Sequence, residues 1–404
     1  MPITIAATTS SDELLQALVP VLHYFGAVFT PADGNRFVPF MEPSRGFAAR
    51  DDGAVVGGAA SFPFELTVPG GTVRTAGLSV VGVLPTHRRR GILRGMMRAQ
   101  LDDVHRRGEP LGLLWASEDT IYGQFGYGLA SVSCDMDLPK SAIAFARPFE
   151  ARGQVRILKE ADALAPMAES YERVRLNHPG MLARSADWWR YRRLSDPEHR
   201  RMGGGELIRV VLTLDGKPSG HALYRLFPEF SSGTSNGFVR VIEAIGATPE
   251  ATREIWRFLL DIDWVARIKA SMLPVDHELF FVLARPREMN LLVHDGLWCR
   301  LVDLPKALAA RKLGAGEPVV FEVADAFCPW NAGRWRVSAA GAEKTTADAD
   351  IACDITALGS VYLGGFSFGR LARAGRISEL REGASARADA LFPADRAPWC
   401  PEVF

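Results

Sequence analysis

The fold of this chain follows from one stretch, Leu78-Ser79-Val80-Val81-Gly82-Val83-Leu84-Pro85-Thr86-His87-Arg88-Arg89-Arg90-Gly91. Its apolar run at 78–83 shows little alternation, which predicts a strand covered on both faces. After the basic turn, apolar residues recur at helical spacing, at Ile92, Leu93, Met96, Met97, Leu101 and Val104. The opposite face of this helix is predicted to carry the charged residues Arg94, Arg98, Asp102 and Asp103.

A strand, a short basic turn and a helix in this order predict an anion site. Unpaired backbone N–H groups at the start of the helix point beyond the end of the strand. Arg88, Arg89 and Arg90 add charge and planar donors, and the missing side chain of Gly91 lets a phosphate approach the backbone. The alternative is a solvated arginine cluster, because Arg-x-x-Gly occurs by chance in many chains. The strand before it and the helix after it favour the anion site.

The next apolar run, residues 111–116, is short enough to be a strand parallel to the first. The helix between them then makes a βαβ unit with a right-handed crossover. This connection puts Ser117 and Glu118 at the same sheet edge as the arginine loop, where ligands of open α/β sheets bind.

Composition excludes several classes of protein. The 404 residues allow two or three domains. Lys plus Arg equals Asp plus Glu at 47 each, so no broad basic field is available for nucleic acid or an anionic membrane. The five cysteines are scattered and never spaced as a zinc pair, which favours free thiols and no metal. Nothing at the N-terminus resembles a secretory signal, so we expect a cytoplasmic protein.

Three segments are predicted: 1–148, 149–297 and 298–404. The first begins with a helix at Ser11, capped by Ser10 or Ser11, and with strands at 54–64 and 65–74. The second repeats the order of the first, with strands at 155–158, 207–214, 221–226 and 239–245 and helices at 161–175, 185–194 and 248–262. No Arg-x-x-Gly follows its central strand, so we expect no cofactor there.

The third segment is predicted to form an antiparallel sheet, with strands such as 319–323 and 335–339. Helices near 357–363, 369–374 and 378–391 follow it. Gly314, in a second Arg-x-x-Gly at 311–314, is interpreted as the C-cap of a preceding helix.

The loop resembles the acetyl-coenzyme A loop of the GCN5-related N-acetyltransferases, whose signature is Gln/Arg-x-x-Gly-x-Gly/Ala. Arg88 and Gly91 fit this signature, and Leu93 stands where many members have a small residue. The longer sequences at 76–91 and 117–127 are similar to those of the mycobacterial enhanced intracellular survival acetyltransferases. That resemblance implies an α/β (α+β) fold: two acetyltransferase-like domains, the second without the cofactor motif, and a sterol-carrier-protein-like domain at the end.

The resemblance also implies a set of residues that bind acetyl-coenzyme A. Backbone groups at the end of the central strand would bind the acetyl and pantetheine portions, and the loop would bind the pyrophosphate. The implied residues are Val81, Gly82, Val83, Arg88, Arg89, Arg90, Gly91, Ile92, Leu93, Arg94, Ser117 and Glu118.

Two catalytic groups are implied by the resemblance. Tyr122, in Ser-Glu-x-x-Ile-Tyr-Gly-x-Phe-Gly-Tyr, would protonate the coenzyme A thiolate. Tyr127 is its competitor, with a packing role as the other interpretation. The α-carboxylate of Phe404 would act as the base; the alternative is a terminus docked on a core. Glu118 and Asp119 are second-choice bases, acting through a water.

The acceptor implied by the resemblance is a primary amine of a small polycation, such as an aminoglycoside or a polyamine, or of a lysine. Two departures weaken aminoglycoside use: Val403 replaces an acid, with Glu402 one place earlier, and Pro31 stands where an acid is expected. A homohexamer is also implied. The alternative function is a non-catalytic carrier that holds an apolar ligand in the C-terminal domain.

Overall fold

The computed structural model describes residues 3–26, 38–231 and 233–404. The strands of these residues, in chain order, are β1 Thr4–Ala7, β2 Gly46–Asp51, β3 Ala54–Val68, β4 Gly71–Val83, β5 Leu111–Trp115, β6 Gly128–Leu129, β7 Val132–Pro139, β8 Gln154–Leu158, β9 Ile208–Leu214, β10 Lys217–Phe227, β11 Phe230–Ser231, β12 Thr234–Ser235, β13 Phe238–Gly246, β14 Arg267–Pro274, β15 Leu292–Asp295, β16 Leu297–Leu301, β17 Val319–Ala324, β18 Gly333–Ser338, β19 Gly341–Lys344, β20 Ile351–Asp354 and β21 Ile377–Glu379. The α-helices are α1 Ser11–Leu22, α2 Ile92–Arg106, α3 Glu160–Arg175, α4 Pro249–Asp261, α5 Leu279–Val282, α6 Leu304–Ala310, α7 Ile355–Tyr362, α8 Phe368–Arg373 and α9 Ala384–Leu391.

The chain divides into two compact units. The first contains Met1–Ser131, Gly296–Pro398 and Glu402–Phe404, and the second contains Val132–Asp295 and Trp399–Pro401. The division follows the sheets: β7 pairs within the second unit, although it precedes the boundary expected at 148, and β16 pairs with β5 in the first. The chain therefore passes from the first unit to the second after Ser131 and returns to the first at Gly296.

The first sheet has the strand order β1-β2-β3-β4-β5-β16-β6. Its centre is a long hairpin, β3 and β4, which turns at Pro69-Gly70, where Gly70 has φ +86°. The predicted break between 64 and 65 is wrong, because β3 continues to Val68 and β4 runs unbroken from Gly71 to Val83. The parallel pairing of β4 with β5 confirms the predicted βαβ unit.

Helices α1 and α2 pack on the first sheet. Ser10 caps α1 as predicted, since its Oγ accepts from the Glu13 N–H at 3.2 Å. A Cβ at Gly58 would lie 1.6 Å from the Ala17 carbonyl oxygen, so α1 packs directly on the strand backbone. In α2 the predicted apolar face is buried except at Leu93, which is half-buried. Asp103 is also buried, and its Oδ2 accepts from Arg107 Nε at 2.6 Å. That pairing explains why the exposed position predicted for Asp103 is wrong.

The second sheet has the order β15-β7-β14-β13-β10-β9-β8. Helices α3 and α4 and four of its strands were predicted within a few residues of their observed bounds. The Thr248 hydroxyl caps α4 by accepting from the Ala251 N–H at 3.1 Å. The predicted helix at 185–194 is a π-helix over Trp188–Leu194.

The C-terminal part of the first unit contains a five-stranded sheet of order β19-β18-β17-β20-β21. The sheet is mixed rather than antiparallel, because β17 pairs in parallel with β20. The segment predicted as a helix from 378 begins with β21, and α9 starts only at Ala384, after Gly383 with φ +77°.

Gly314 is not a C-cap, contrary to the sequence interpretation. Helix α6 ends at Ala310, and Arg311 leaves it in an extended conformation. The Gly314 N–H donates to the Leu391 carbonyl at 2.9 Å, and a Cβ at this position would lie 2.1 Å from the Ala390 oxygen. Close approach to the last turn of α9, rather than the end of α6, therefore requires glycine here. No helix of the described residues is long and apolar enough to cross a membrane.

Candidate active site

Strands β4 and β5 diverge at the centre of the first sheet. Their parallel pairing covers only Thr75↔Leu111, Ala76↔Gly112 and Gly77↔Leu113, although β4 continues to Val83. On its other side β4 stays paired with β3 as far as Val83↔Gly57. One side of residues 78–83 therefore faces a gap between the strands, and the predicted backbone donors and acceptors of Val81, Gly82 and Val83 border it.

A bulge lies where this gap opens. Ser79 pairs with Ala60 and Gly82 with Gly58, so β4 has one more residue here than β3. Val80 has φ +50°, which for a β-branched residue costs about 1–2 kcal/mol. The bulge redirects the end of β4, and the strand predicted to be covered on both faces is only half-buried at Val81 and Val83.

The arginine loop joins β4 to α2. Gly91 is the N-cap of α2, with φ +79°, and it has no side chain that could cap the first N–H groups of the helix. Among the residues that the structure describes, no atom outside the chain neighbours of Gly91 lies within 4 Å of the position that a Cβ there would take. The loop backbone is thus accessible at Gly91, and the anion site stays a prediction.

The three arginines of the loop differ in their contacts. Arg88 and Arg89 are exposed, and Arg89 takes φ +61°. Arg90 donates to the Asp51 carboxylate at 3.0 Å, and His87 Nε2 lies 3.3 Å from the same carboxylate. Asp51, which the sequence reasoning missed, anchors one side of the loop, so Arg88 and Arg89 are the freer cations.

The start of α2 combines core and surface residues. The Ile92 side chain is buried, and Leu93 is half-buried. Arg94 is exposed, with its guanidinium carbon 5.2 Å from the centroid of the Phe327 ring. Of these three predicted binding residues, Ile92 can therefore offer only its backbone.

Tyr122 lies in a short 3₁₀ turn after β5, in the cluster of side chains that includes Ala76, Leu78 and Met97. Its side chain is 8% exposed. Burial raises the pKa of the Tyr122 phenol, and the negative charge of Glu118 raises it further. The phenol therefore stays protonated at neutral pH, as an acid catalyst must. Ser117 and Glu118 are exposed at the end of β5.

Tyr127 is more deeply enclosed than Tyr122. It is 1% exposed, and its ring lies 6.2 Å from that of Tyr122, at 75°. Its hydroxyl covers Gly112, since a Cβ there would lie 2.9 Å from it. Burial strongly raises the pKa of Tyr127. These contacts favour the packing role that the sequence left open for Tyr127.

The chain terminus lies on the first sheet. The Phe404 ring is 5.0 Å from that of Phe64 and 6.4 Å from that of Phe62. Of the two residues before it, Val403 is 55% exposed and Glu402 is 2% exposed. Pro31, the other departure noted in the sequence, lies outside the described residues.

Tyr122 and Phe404 approach the same point of β4 from opposite faces of the sheet. Side chains alternate along a strand, so Ala76 and Leu78 point to one face and the position of Gly77 to the other. Ala76 and Leu78 pack with Tyr122. A Cβ at Gly77 would lie 3.0 Å from the Phe404 ring. Because Gly77 is the last β4 residue paired with β5, both groups approach the sheet where the gap opens.

Among the described residues, no group of three or more His, Cys, Asp or Glu side chains could hold a metal ion. All five cysteines are buried, and none of them forms a disulfide bond. The polar groups that the described residues bring to this site are backbone donors and acceptors, arginines, the buried phenols of Tyr122 and Tyr127, and carboxylates.

Family models match three parts of the chain. Two acetyltransferase (GNAT) domain models match residues 8–130 and 180–301, and a sterol carrier protein domain model matches 304–401. An uncharacterized N-acetyltransferase of Streptomyces coelicolor is 41% identical over 395 residues, 95% of each chain. The N-acetyltransferase Eis of Mycobacterium tuberculosis is 33% identical over 376 residues, 88% of each chain.

Solved structures agree with these matches. The crystal structure of Eis1 from Mycobacterium abscessus has a TM-score of 0.85 at 34% identity and covers 99% of this chain and 100% of that one. A GCN5-related N-acetyltransferase from Anabaena variabilis shares the fold, with a TM-score of 0.82 at 20% identity and full coverage. With relatives this similar along nearly its whole length, the chain belongs to the Eis-like GCN5-related N-acetyltransferases and is an acetyltransferase with two such domains and a terminal sterol carrier protein domain.

Proposed function

We propose that this enzyme transfers an acetyl group directly from acetyl-coenzyme A to a primary amine of a cationic acceptor such as an aminoglycoside, a polyamine or a lysine. The observation that carries the proposal is the gap between β4 and β5, with Tyr122 on one face of β4 and Phe404 on the other. An acid on one face and a base on the other suit a reaction in which donor and acceptor enter from opposite sides.

The loop fits the pyrophosphate of acetyl-coenzyme A. Open space at Gly91, an uncapped helix start and the exposed guanidinium groups of Arg88 and Arg89 are what a polyanion requires. The edge of Val81 and Gly82, which is not paired with β5, fits the amide groups of an extended pantetheine arm, which can add to it as a short strand does. The Val83 carbonyl already accepts from the Tyr24 hydroxyl at 2.5 Å. When bound, acetyl-coenzyme A supplies the acetyl group as a thioester, and coenzyme A leaves as the free thiol.

Two protons move in this proposal. The carboxylate of Phe404 accepts the proton that the acceptor nitrogen loses as its new bond to the acetyl carbon forms. The Tyr122 hydroxyl gives its proton to the departing sulfur. Solvent then returns a proton to Tyr122 and takes one from Phe404, so the enzyme is unchanged. The raised pKa of Tyr122 supports its part, because the phenol is fully protonated at neutral pH.

The acidic groups near the terminus bear on the acceptor. Glu402 is buried, so its carboxylate is not an exposed partner for a cation. Glu118 and Asp119 are exposed at the end of β5 and can bind ammonium groups. An acceptor panel has to separate aminoglycosides, polyamines and peptide lysines.

The carrier function fits less well. A cavity of about 380 Å³ lies in the C-terminal part of the first unit, lined by Gly364, Gly365, Phe366, Ser367, Arg370, Asp389, Phe392, Pro393 and Ala394. Asp389 accepts from the Gly369 N–H at 3.1 Å, and Arg370 is exposed. A charged, open wall of this kind is a poor environment for an apolar ligand.

The resemblance to the Eis subfamily supports a homohexamer, and the five cysteines, none of which forms a disulfide bond, support a reducing cytoplasm as the compartment. Light scattering of the purified protein tests the assembly. A mass near six times the 44.2 kDa chain is expected, and a monomer would contradict it.

The reaction is tested by release of coenzyme A thiol from acetyl-coenzyme A, with aminoglycosides, polyamines and lysine peptides as acceptors. Thiol release that depends on one of these amines is expected. Tyr122→Phe should lower kcat by about 10²- to 10⁴-fold with little change in acetyl-coenzyme A binding. If none of these amines caused thiol release although acetyl-coenzyme A bound, the acceptor would belong to another class. Absence of both thiol release and binding would contradict the proposal.

A further inference from the structure

We propose that Phe62, Phe64 and Gly77 form an aromatic seat for the ring of Phe404 and act as positioning residues for the terminal carboxylate. This inference rests on the proposed function, in which that carboxylate is the base. It adds that the first sheet itself is shaped to hold an aromatic last residue, so the identity of residue 404 matters as well as its charge.

The contacts of the Phe404 ring are specific. Its centroid lies 5.0 Å from that of Phe64 at 63° and 6.4 Å from that of Phe62 at 83°, both edge-to-face arrangements that aromatic pairs prefer. Phe62 is 1% exposed and Phe64 is 8% exposed. The last ring of the chain is therefore held against two rings that are themselves fixed in the sheet.

Steric crowding by neighbouring rings, rather than backbone conformation, requires glycine at position 77. Gly77 is not among the residues with positive φ, so its backbone does not demand glycine. A Cβ there would lie 2.4 Å from the Phe64 ring and 3.0 Å from the Phe404 ring. The missing side chain leaves the space in β4 that these two rings occupy.

A terminal residue needs such a seat to act as a base. Chain ends are poorly ordered unless they are tied down, and Val403, the residue before, is 55% exposed. The carboxylate and the benzyl group of Phe404 leave the same Cα, so holding the ring restricts where the carboxylate can go. A displacement of about 1 Å in a reacting group can cost about 10²-fold in rate.

The location of the seat matches this role. Gly77 pairs with Phe62 on one side and with Leu113 on the other, and it is the last residue before β4 and β5 diverge. The seat thus lies where the gap opens, on the face opposite the one on which Tyr122 packs.

The direct test compares Phe64→Leu and Phe404→Leu with Phe321→Leu. Phe321 pairs with Phe368 at 5.2 Å in the C-terminal sheet and has no part in the site, so its variant controls for the loss of one buried ring. The first two variants should lower kcat about 10- to 100-fold and leave KM for acetyl-coenzyme A unchanged. Phe404→Trp should retain most of the rate. Wild-type kcat in Phe64→Leu would overturn the seat.

A rescue experiment tests the seat without relying on the stability of these variants. Deletion of Phe404 should lower kcat by about 10²-fold or more. Added 3-phenylpropionate, which carries the ring and carboxylate of phenylalanine, should restore part of this loss, and acetate should not. The same acid should fail when Phe64→Leu is combined with the deletion.

The outcomes separate the seat from the proposed function. Equal rescue by acetate would keep a carboxylate base and overturn the seat, and no rescue by either acid would also count against the seat. Full activity of the truncated chain would overturn the terminal base itself, while thiol release would still show the transferase.

Discussion

The two halves of the molecule contain the same arrangement of strands and differ in what fills it. In the first sheet β4 and β5 diverge after Gly77↔Leu113, and in the second β13 and β14 diverge after Val241↔Ala270. In both, the strand before the gap continues into a turn and a helix, α2 or α4. Diverging strands are therefore common to both sheets, and the residues that border each gap distinguish the two.

The helix starts show the first difference. Gly91 opens α2 without a side-chain cap and with free space around it. Thr248 opens α4 with a hydroxyl that already accepts from Ala251, and Pro249 has no N–H to offer. A Cβ at Gly246 would lie 2.2 Å from the Thr252 nitrogen, so the helix covers the end of β13. These contacts give a physical reason for the prediction that the second copy binds no cofactor.

The second gap is also occupied by the protein itself. Glu243, on β13 beyond its last pair with β14, is buried and accepts from Arg184 at 3.0 Å and from Arg193 at 2.7 Å. His221 Nε2 lies 2.8 Å from the same carboxylate. On β14, the Met272 carbonyl accepts from the indole of Trp399 at 2.5 Å. In the second gap, residues of β13 and β14 beyond their last pair therefore accept hydrogen bonds from side chains of the protein itself.

The largest effect is expected from breaking the charged cluster of the second gap. Glu243→Gln leaves Arg184 and Arg193 buried without their carboxylate, which should lower the free energy of unfolding by about 3–5 kcal/mol. Denaturation by urea, followed by circular dichroism, measures this change. Glu250→Gln is the control, because its ion pair with Arg152 is exposed and should contribute less than about 1 kcal/mol. Equal losses of unfolding free energy in the two variants would mean that the ion pairs of Glu243 do not stabilise the fold.

The same cluster predicts a pH dependence of stability. Burial alone would raise the pKa of Glu243, but Arg184, Arg193 and His221 hold it well below its ordinary value. A carboxyl with a lowered pKa stabilises the fold above its unfolded pKa of about 4.3 and loses that contribution as the pH falls. Acidification below pH 4 should therefore destabilise the wild type more steeply than Glu243→Gln.

The next effect tests the open loop of the first gap. Arg88→Ala and Arg89→Ala should each raise KM for acetyl-coenzyme A by about 10- to 100-fold, because a hydrogen bond to a charged group contributes about 1.5–3 kcal/mol. The kcat at saturation should be unchanged. Arg106→Ala, exposed at the far end of the same helix, is the control. If all three variants gave the same KM, the loop would not be the pyrophosphate site.

The sequence predicted the elements whose signals lie within one stretch of the chain. It missed the contacts between residues that are far apart in the chain. The strand, basic turn and helix at 78–106 were predicted because their signals lie within one continuous stretch. Asp51 was missed because it is 39 residues from Arg90, and the Phe404 seat because its rings come from opposite ends of the chain. Gly314 was misread because its packing partner, Ala390, is distant in sequence.

The smallest effect is expected from removing the charge of Glu118, which raises the pKa of Tyr122, the proposed acid of the first gap. The second gap holds a carboxylate whose pKa is lowered, whereas the first holds a phenol whose pKa is raised by burial and then by Glu118. Glu118→Gln removes the second cause, so the pKa of Tyr122 should fall while burial keeps it above its ordinary value. Since the protonated phenol is the active form, the alkaline limb of kcat/KM should move to lower pH.

Asp119→Asn is the matched control for this last prediction, since the neighbouring Asp119 is exposed and is not among the causes of the raised Tyr122 pKa. Its pH profile should keep the wild-type alkaline limb. If Glu118→Gln instead lowered the rate at every pH without moving that limb, Glu118 would take part in the reaction through its own carboxylate. The base would then lie on the same face as the acid, and the two-sided arrangement around β4 would no longer distinguish the first gap from the second.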